Sequence, residues 1–86
     1  MRGTKMTTAQ LRHVAFTQIM EKGESRYTIE DLCRDCVLSL SNALSIVSYL
    51  ELDGWITVTA YQLKATRVAR FLHQRDAAEL ERYFIL

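Results

Sequence analysis

The sequence predicts a single α+β domain that is mostly helical, and three observations carry that prediction. Leu38 to Ile56 reads as a turn, a capped helix and a strand start. Ser39 is placed to cap a helix whose apolar positions Ala43, Ile46, Val47 and Leu50 recur at the three- and four-residue spacing of one buried face. Asp53-Gly54 closes that helix, and Trp55 to Thr59 follows as an aromatic and β-branched run suited to a strand. The third observation is size and balance: 86 residues, 49% apolar, 24% charged and a net charge of +1 suit one domain with a modest core.

The other elements follow in order. Residues 1–6 are polar and basic with Gly3, and are expected to form a flexible arm before a domain at 7–86. Thr7 or Thr8 caps a first helix running to Lys22, with Gly23 as its stop and Leu11, Val14, Ala15 and Ile19 on one face. Phe16 and Met20 form a second apolar ridge, which needs a second partner, either the carboxy-terminal helix or another subunit. Glu24 to Tyr27 suits a short first strand. Thr28 with Glu30 and Asp31 starts a helix from Ile29 to about Cys36. Val37-Leu38-Ser39 then turns the chain into the next helix without the glycine usual in such turns. Beyond the strand, Ala60-Tyr61 is a hairpin tip and Gln62 to Ala65 the return strand. Thr66 caps a helix from Arg67 with Val68, Phe71 and Leu72 inward, and a last helix spans Ala77 to about Phe84.

The small turn, the Ser-x-Ser start of the helix, its apolar face and the phrase Leu50-Glu51-Leu52-Asp53-Gly54-Trp55-Ile56 together resemble the recognition helix and wing entry of the winged helix-turn-helix family of prokaryotic regulators. Tyr61-Gln62-Leu63-Lys64 is similar to the phrase that closes the wing in that family, without its glycine. The resemblance implies a winged helix-turn-helix with an extra carboxy-terminal helix, helix 39–53 as recognition helix and hairpin 55–65 as wing. It further implies a cytoplasmic, sequence-specific DNA-binding regulator of transcription, acting on double-stranded DNA as a homodimer.

On that reading Ser41, Ser45 and Ser48 point outward from the helix, with Asn42 and Tyr49 on one flank and Leu44 on the other. These five polar residues are the candidates for base contact. No Lys or Arg lies between Ser39 and Asp53, so phosphate contacts fall to Arg26, Thr28, Arg34, Ser39, Lys64 and Arg67, with Arg70 nearby. Phe16, Met20, Leu80, Tyr83 and Phe84 are the candidates for the dimer interface. The uncharged helix face leaves a second reading open, a winged-helix module that binds protein through Leu44, Tyr49 and Leu52.

Other chemistry finds little support. Cys33-Arg34-Asp35-Cys36 has metal or redox spacing, but no second such pair exists, and His13 and His73 stand on separate elements, so buried free thiols are expected. No nucleophile elbow, metalloprotease helix motif or phosphate-binding glycine loop is present, so neither enzyme activity nor a cofactor is expected. No apolar run reaches the roughly 18–20 residues of a membrane span.

Overall fold

The computed structural model describes residues 6–22 and 26–84, the side chains at 77–79 and 81 excepted. The order is α1 (Thr8–Lys22), α2 (Ile29–Cys36), α3 (Leu40–Leu52), β1 (Ile56–Thr59), β2 (Gln62–Ala65), α4 (Arg67–Asp76) and a terminal 3-10 helix (Ala77–Phe84). The architecture is α+β and mostly helical, with a wing-like hairpin after the third helix and further helix beyond it. Gly23, and the Glu24–Ser25 start of the expected first strand, lie outside the described residues, as do residues 1–5 of the expected arm.

Local chemistry sets the helix boundaries. Thr7 and Gln10 cap α1 reciprocally: the Gln10 N–H donates to Thr7 Oγ1 at 3.1 Å, and the Thr7 N–H donates to Gln10 Oε1 at 2.8 Å. Thr28 and Asp31 do the same for α2. Ser39 Oγ accepts from the Asn42 N–H at 3.2 Å to start α3. α3 ends in a Schellman motif: the Trp55 N–H reaches the Leu50 carbonyl at 2.8 Å and the Gly54 N–H that of Glu51 at 3.1 Å. Gly54 stands at φ +83°, a conformation that glycine adopts without a Cβ clash.

The turn between α2 and α3 lacks that advantage. Val37 closes α2 at φ 53° and ψ 56°, left-handed, while its own N–H and that of Leu38 both donate to the Cys33 carbonyl. A β-branched residue is an outlier there. The two-residue hairpin turn is similarly demanding, with Ala60 at φ 51° and Tyr61 at φ 67°, the signs of a type I′ turn built without glycine.

The hairpin pairs Ile56 with Ala65, Thr57 with Lys64, Val58 with Leu63 and Thr59 with Gln62. The expected first strand is reduced to one bridge, Thr28 to Gln62, beside a hydrogen bond from the Leu63 N–H to the Tyr27 carbonyl at 2.7 Å. It ends so soon because Thr28 is already the cap of α2.

The buried stripe of α3 is the expected one, Ala43, Ile46, Val47 and Leu50, and Ile46, Val47 and Leu50 share one core cluster with Ala15, Phe16 and Ile19 of α1, Leu32 of α2, Ile56 and Leu63. The second ridge of α1 finds its partner within the chain. Phe16 lies edge-on to Trp55 with ring centroids 5.6 Å apart and 6.1 Å from Phe84, while Trp55 and Phe84 approach to 4.8 Å. Phe16, Leu80 and Phe84 are fully buried in this packing, so these three expected dimer residues hold the domain's own core instead. Met20 is half-buried, and Tyr83 remains exposed.

α4 is rotated relative to expectation. Thr66 caps it through the Ala69 N–H at 3.2 Å, while its hydroxyl donates to the Gly54 carbonyl at 2.8 Å. That tie sets the phase so that Ala69 is buried and Leu72 half-buried. Val68 and Phe71, expected inward, are 68% and 58% exposed.

Candidate functional site

The capped, thirteen-residue α3 holds its outward face rigidly against the core. Ser41, Asn42, Ser45 and Ser48 are all exposed on that face, as the spacing predicts. Tyr49 is not available beside them. Its hydroxyl donates to the Tyr83 carbonyl at 3.2 Å, its ring lies 6.3 Å from that of Phe84, and the Arg12 guanidinium sits 3.6 Å over it. Tyr49 is therefore a packing residue, not a base reader or a free apolar anchor.

Arg12 is the residue that sequence reasoning missed. Besides covering Tyr49, it donates from Nη1 to the Phe84 carbonyl at 2.9 Å, tying α1, α3 and the terminal 3-10 helix together. A signal was present: Arg12 is four residues before Phe16, so it lies on the same helical row as that apolar ridge. A cation on such a row needs a carbonyl or a π-face.

The expected phosphate-binding groups divide. Thr28 Oγ1 is used twice within its own capping box, donating to Asp31 Oδ2 at 3.1 Å and accepting from the Asp31 N–H at 3.4 Å. Ser39 Oγ accepts the capping bond of α3. Arg34 lies 3.1 Å from Asp31 and 3.2 Å from Asp35. The Thr28 backbone N–H, aided by Arg34, holds the Asp31 carboxyl below the usual carboxylate range. With Glu30 also present, α2 carries three acids against one arginine, and Arg34 offers little net positive field to a phosphate.

Arg26, Lys64 and Arg67 are exposed cations, and Arg70 is half-buried with intramolecular contacts. Arg67 stands at the base of the hairpin, directly after Thr66, whose N–H donates to the Trp55 carbonyl at 2.9 Å. Four-residue strands place that base about 13 Å from the tip. The tip itself presents Ala60 and Tyr61, both exposed and neither charged.

Apolar surface flanks the polar face. Leu40, Leu44 and Leu52 are 57%, 51% and 89% exposed, and Val37 in the turn is also exposed. The two cysteines are free and half-buried: Cys33 Sγ lies 4.0 Å from the Ser39 carbonyl, Cys36 packs against the core, and burial pushes the Cys36 thiol up. Among the described residues no group of three His, Cys, Asp or Glu side chains is placed to hold a metal ion. No helix among them is long and apolar enough to cross a membrane.

Comparison with protein families, curated proteins and solved structures finds no match. The side chains of α3 and its neighbours are thus the whole basis for a functional reading.

Proposed function

We propose that the protein is a sequence-specific DNA-binding regulator of the winged helix-turn-helix type, working in the cytoplasm, with α3 entering the major groove and the hairpin beside it. The observation that carries this reading is the uncharged hydrogen-bonding row Ser41, Asn42, Ser45 and Ser48, exposed on a helix fixed at both ends. Asn42 suits bidentate contact with adenine, worth about 1–3 kcal/mol of discrimination, and the serines suit base edges or phosphates. Arg26, Lys64 and Arg67 supply the backbone contacts. A pair of copies would read a two-fold operator, with Met20 and Tyr83 as the expected interface residues that keep exposed surface.

Titration of labelled duplex at two salt concentrations tests the reading. Lys64→Ala with Arg67→Ala should weaken binding to all sequences alike and reduce the salt slope by about 0.9 for each phosphate that is no longer neutralised. Asn42→Ala or Ser45→Ala should leave the slope nearly unchanged and relax preference at one or two base pairs. Duplex binding no tighter than about 10⁻⁴ M at low salt, with no sequence preference, rejects the proposal.

A second reading, a protein-binding winged helix, is favoured by one observation: Leu40, Leu44 and Leu52 expose apolar surface on a helix without a Lys or Arg. On that reading Leu44→Asp abolishes complex formation, while removal of the Lys64 and Arg67 charges changes little.

A further inference from the structure

The outward face of α3 is defined as much by what it lacks as by what it carries. The only charged residue of the helix is Glu51, in its last turn, so no Arg or Lys stands ready for the O6 and N7 acceptors of guanine. Along the row from Ser41 to Ser48 no carboxylate stands ready for the N4 amine of cytosine either. The row holds instead the Asn42 amide and the hydroxyls of Ser41, Ser45 and Ser48, all exposed and, among the described residues, without a side-chain hydrogen bond of their own. A G·C pair meets no dedicated reader here. The N7 acceptor and N6 donor of adenine match the Asn42 amide.

Leu44 completes the pattern. It is 51% exposed and stands three residues after Ser41 and four before Ser48, so on the helix surface it is the neighbour of both. Any surface that meets those two hydroxyls together also covers Leu44. In the major groove the apolar group that distinguishes one base pair from another is the 5-methyl of thymine. Glu51 lies two turns beyond Leu44, about 10 Å along the axis, and its charge opposes close approach of phosphates at that end. The engaged part of the helix is therefore Leu40 to Ser48. Resting on the DNA-binding reading of α3, we infer that this helix selects A·T pairs and that Leu44 is its thymine reader, packing on a methyl group in the same half-site where Asn42 bonds an adenine. This gives the exposed Leu44 a place in the groove beside the hydroxyls, and makes the lack of charge on α3 a source of base preference.

The test uses the full chain and the sites it selects from a random duplex library. Those sites should carry A·T pairs at the positions whose preference Asn42→Ala or Leu44→Ala relaxes. Each thymine of a selected site is then replaced by uracil, which deletes only the methyl group. At the Leu44-dependent position this should weaken binding about fourfold, the worth of one buried methyl, with an unchanged salt slope. Leu44→Ala, a change at an exposed position, should bind the thymine and uracil duplexes equally while keeping the parent salt slope and melting midpoint. Replacing adenine by 7-deazaadenine at the Asn42-dependent position should weaken the parent protein and leave Asn42→Ala unaffected. G·C pairs at the selected positions, no position that responds to Leu44→Ala, or a uracil penalty that is absent or persists in Leu44→Ala each overturn the inference and leave the regulator reading standing. Duplex binding no tighter than about 10⁻⁴ M at low salt removes both together.

Discussion

Replacing Val37 with glycine should make this protein more stable, although it removes a side chain and adds backbone freedom. Val37 sits at φ 53°, where a non-glycine residue costs roughly 1–2 kcal/mol. Its side chain repays almost none of this through burial, since the residue is 90% exposed. Glycine removes the clash but raises the entropy of the unfolded chain, a cost of about 0.5–1 kcal/mol. The balance is a gain of about 0.5–1 kcal/mol. For a domain of this size that corresponds to a rise of about 2–8 °C in melting temperature, read by circular dichroism and checked by the urea midpoint at constant slope. Val37→Ala is the necessary control, because it removes the branch but keeps the Cβ, and it should gain less than glycine. A fall in the midpoint for Val37→Gly, or equal gains for the two variants, would refute the assignment of strain to this turn.

Leu50→Ala, which empties a fully buried position where α3 meets α1, should cost about 2–5 kcal/mol by urea titration, and a cost below about 1 kcal/mol would take Leu50 out of the core. Arg12→Ala should cost about 1–3 kcal/mol and alter Trp55 fluorescence, since it releases the Phe84 carbonyl and the ring of Phe84 lies against Trp55; an unchanged emission spectrum would mean that Arg12 does not seat the terminal helix. The buried Tyr27 donates its hydroxyl to Asp35 at 2.9 Å, and burial, with that bond, raises its pKa well above the usual value of 10.0. A folded-state pKa above the unfolded one gives stability that is complete below pH 10 and is lost as pH rises beyond it. Tyr27→Phe should flatten this alkaline decline in denaturant midpoints, and an alkaline limb as steep as that of the parent protein would remove Tyr27 as its cause.

The parts of the fold that were legible in the sequence are those fixed by short-range chemistry. The caps made by Ser39, Thr28 and Thr66 and the stop at Gly54 each close over three residues, and the α3 stripe repeats with the helix period, so boundaries and face could both be read. The misread parts depend on contacts distant along the chain. The phase of α4 is set by the hydroxyl of Thr66 reaching back twelve residues to the Gly54 carbonyl, and this turned Phe71 outward against the local pattern. Phe16, Leu80 and Phe84 looked like surplus apolar surface because their pairing spans nearly the whole chain. At the candidate site, the exposure of Ser41, Asn42, Ser45 and Ser48 follows from helix period alone. The pairing of Arg34 with Asp31 and Asp35 is local to α2, whereas the withdrawal of Tyr49 into packing depends on Arg12, Tyr83 and Phe84, which only the fold delivers.

The bond from Arg12 to the Phe84 carbonyl joins residues 72 positions apart, and it has a consequence for how the protein is made. A ribosome adding about 5–20 residues per second completes α1 at Lys22 roughly 3–12 s before the residue that seals it exists. Through that interval Phe16 has no Phe84 to pack against, so the nascent chain carries an open apolar ridge that only its latest segment can close. Trigger-type holding of that ridge, or fast synthesis, would therefore favour a good yield of folded protein, and codon-slowed translation between positions 60 and 84 would favour aggregation.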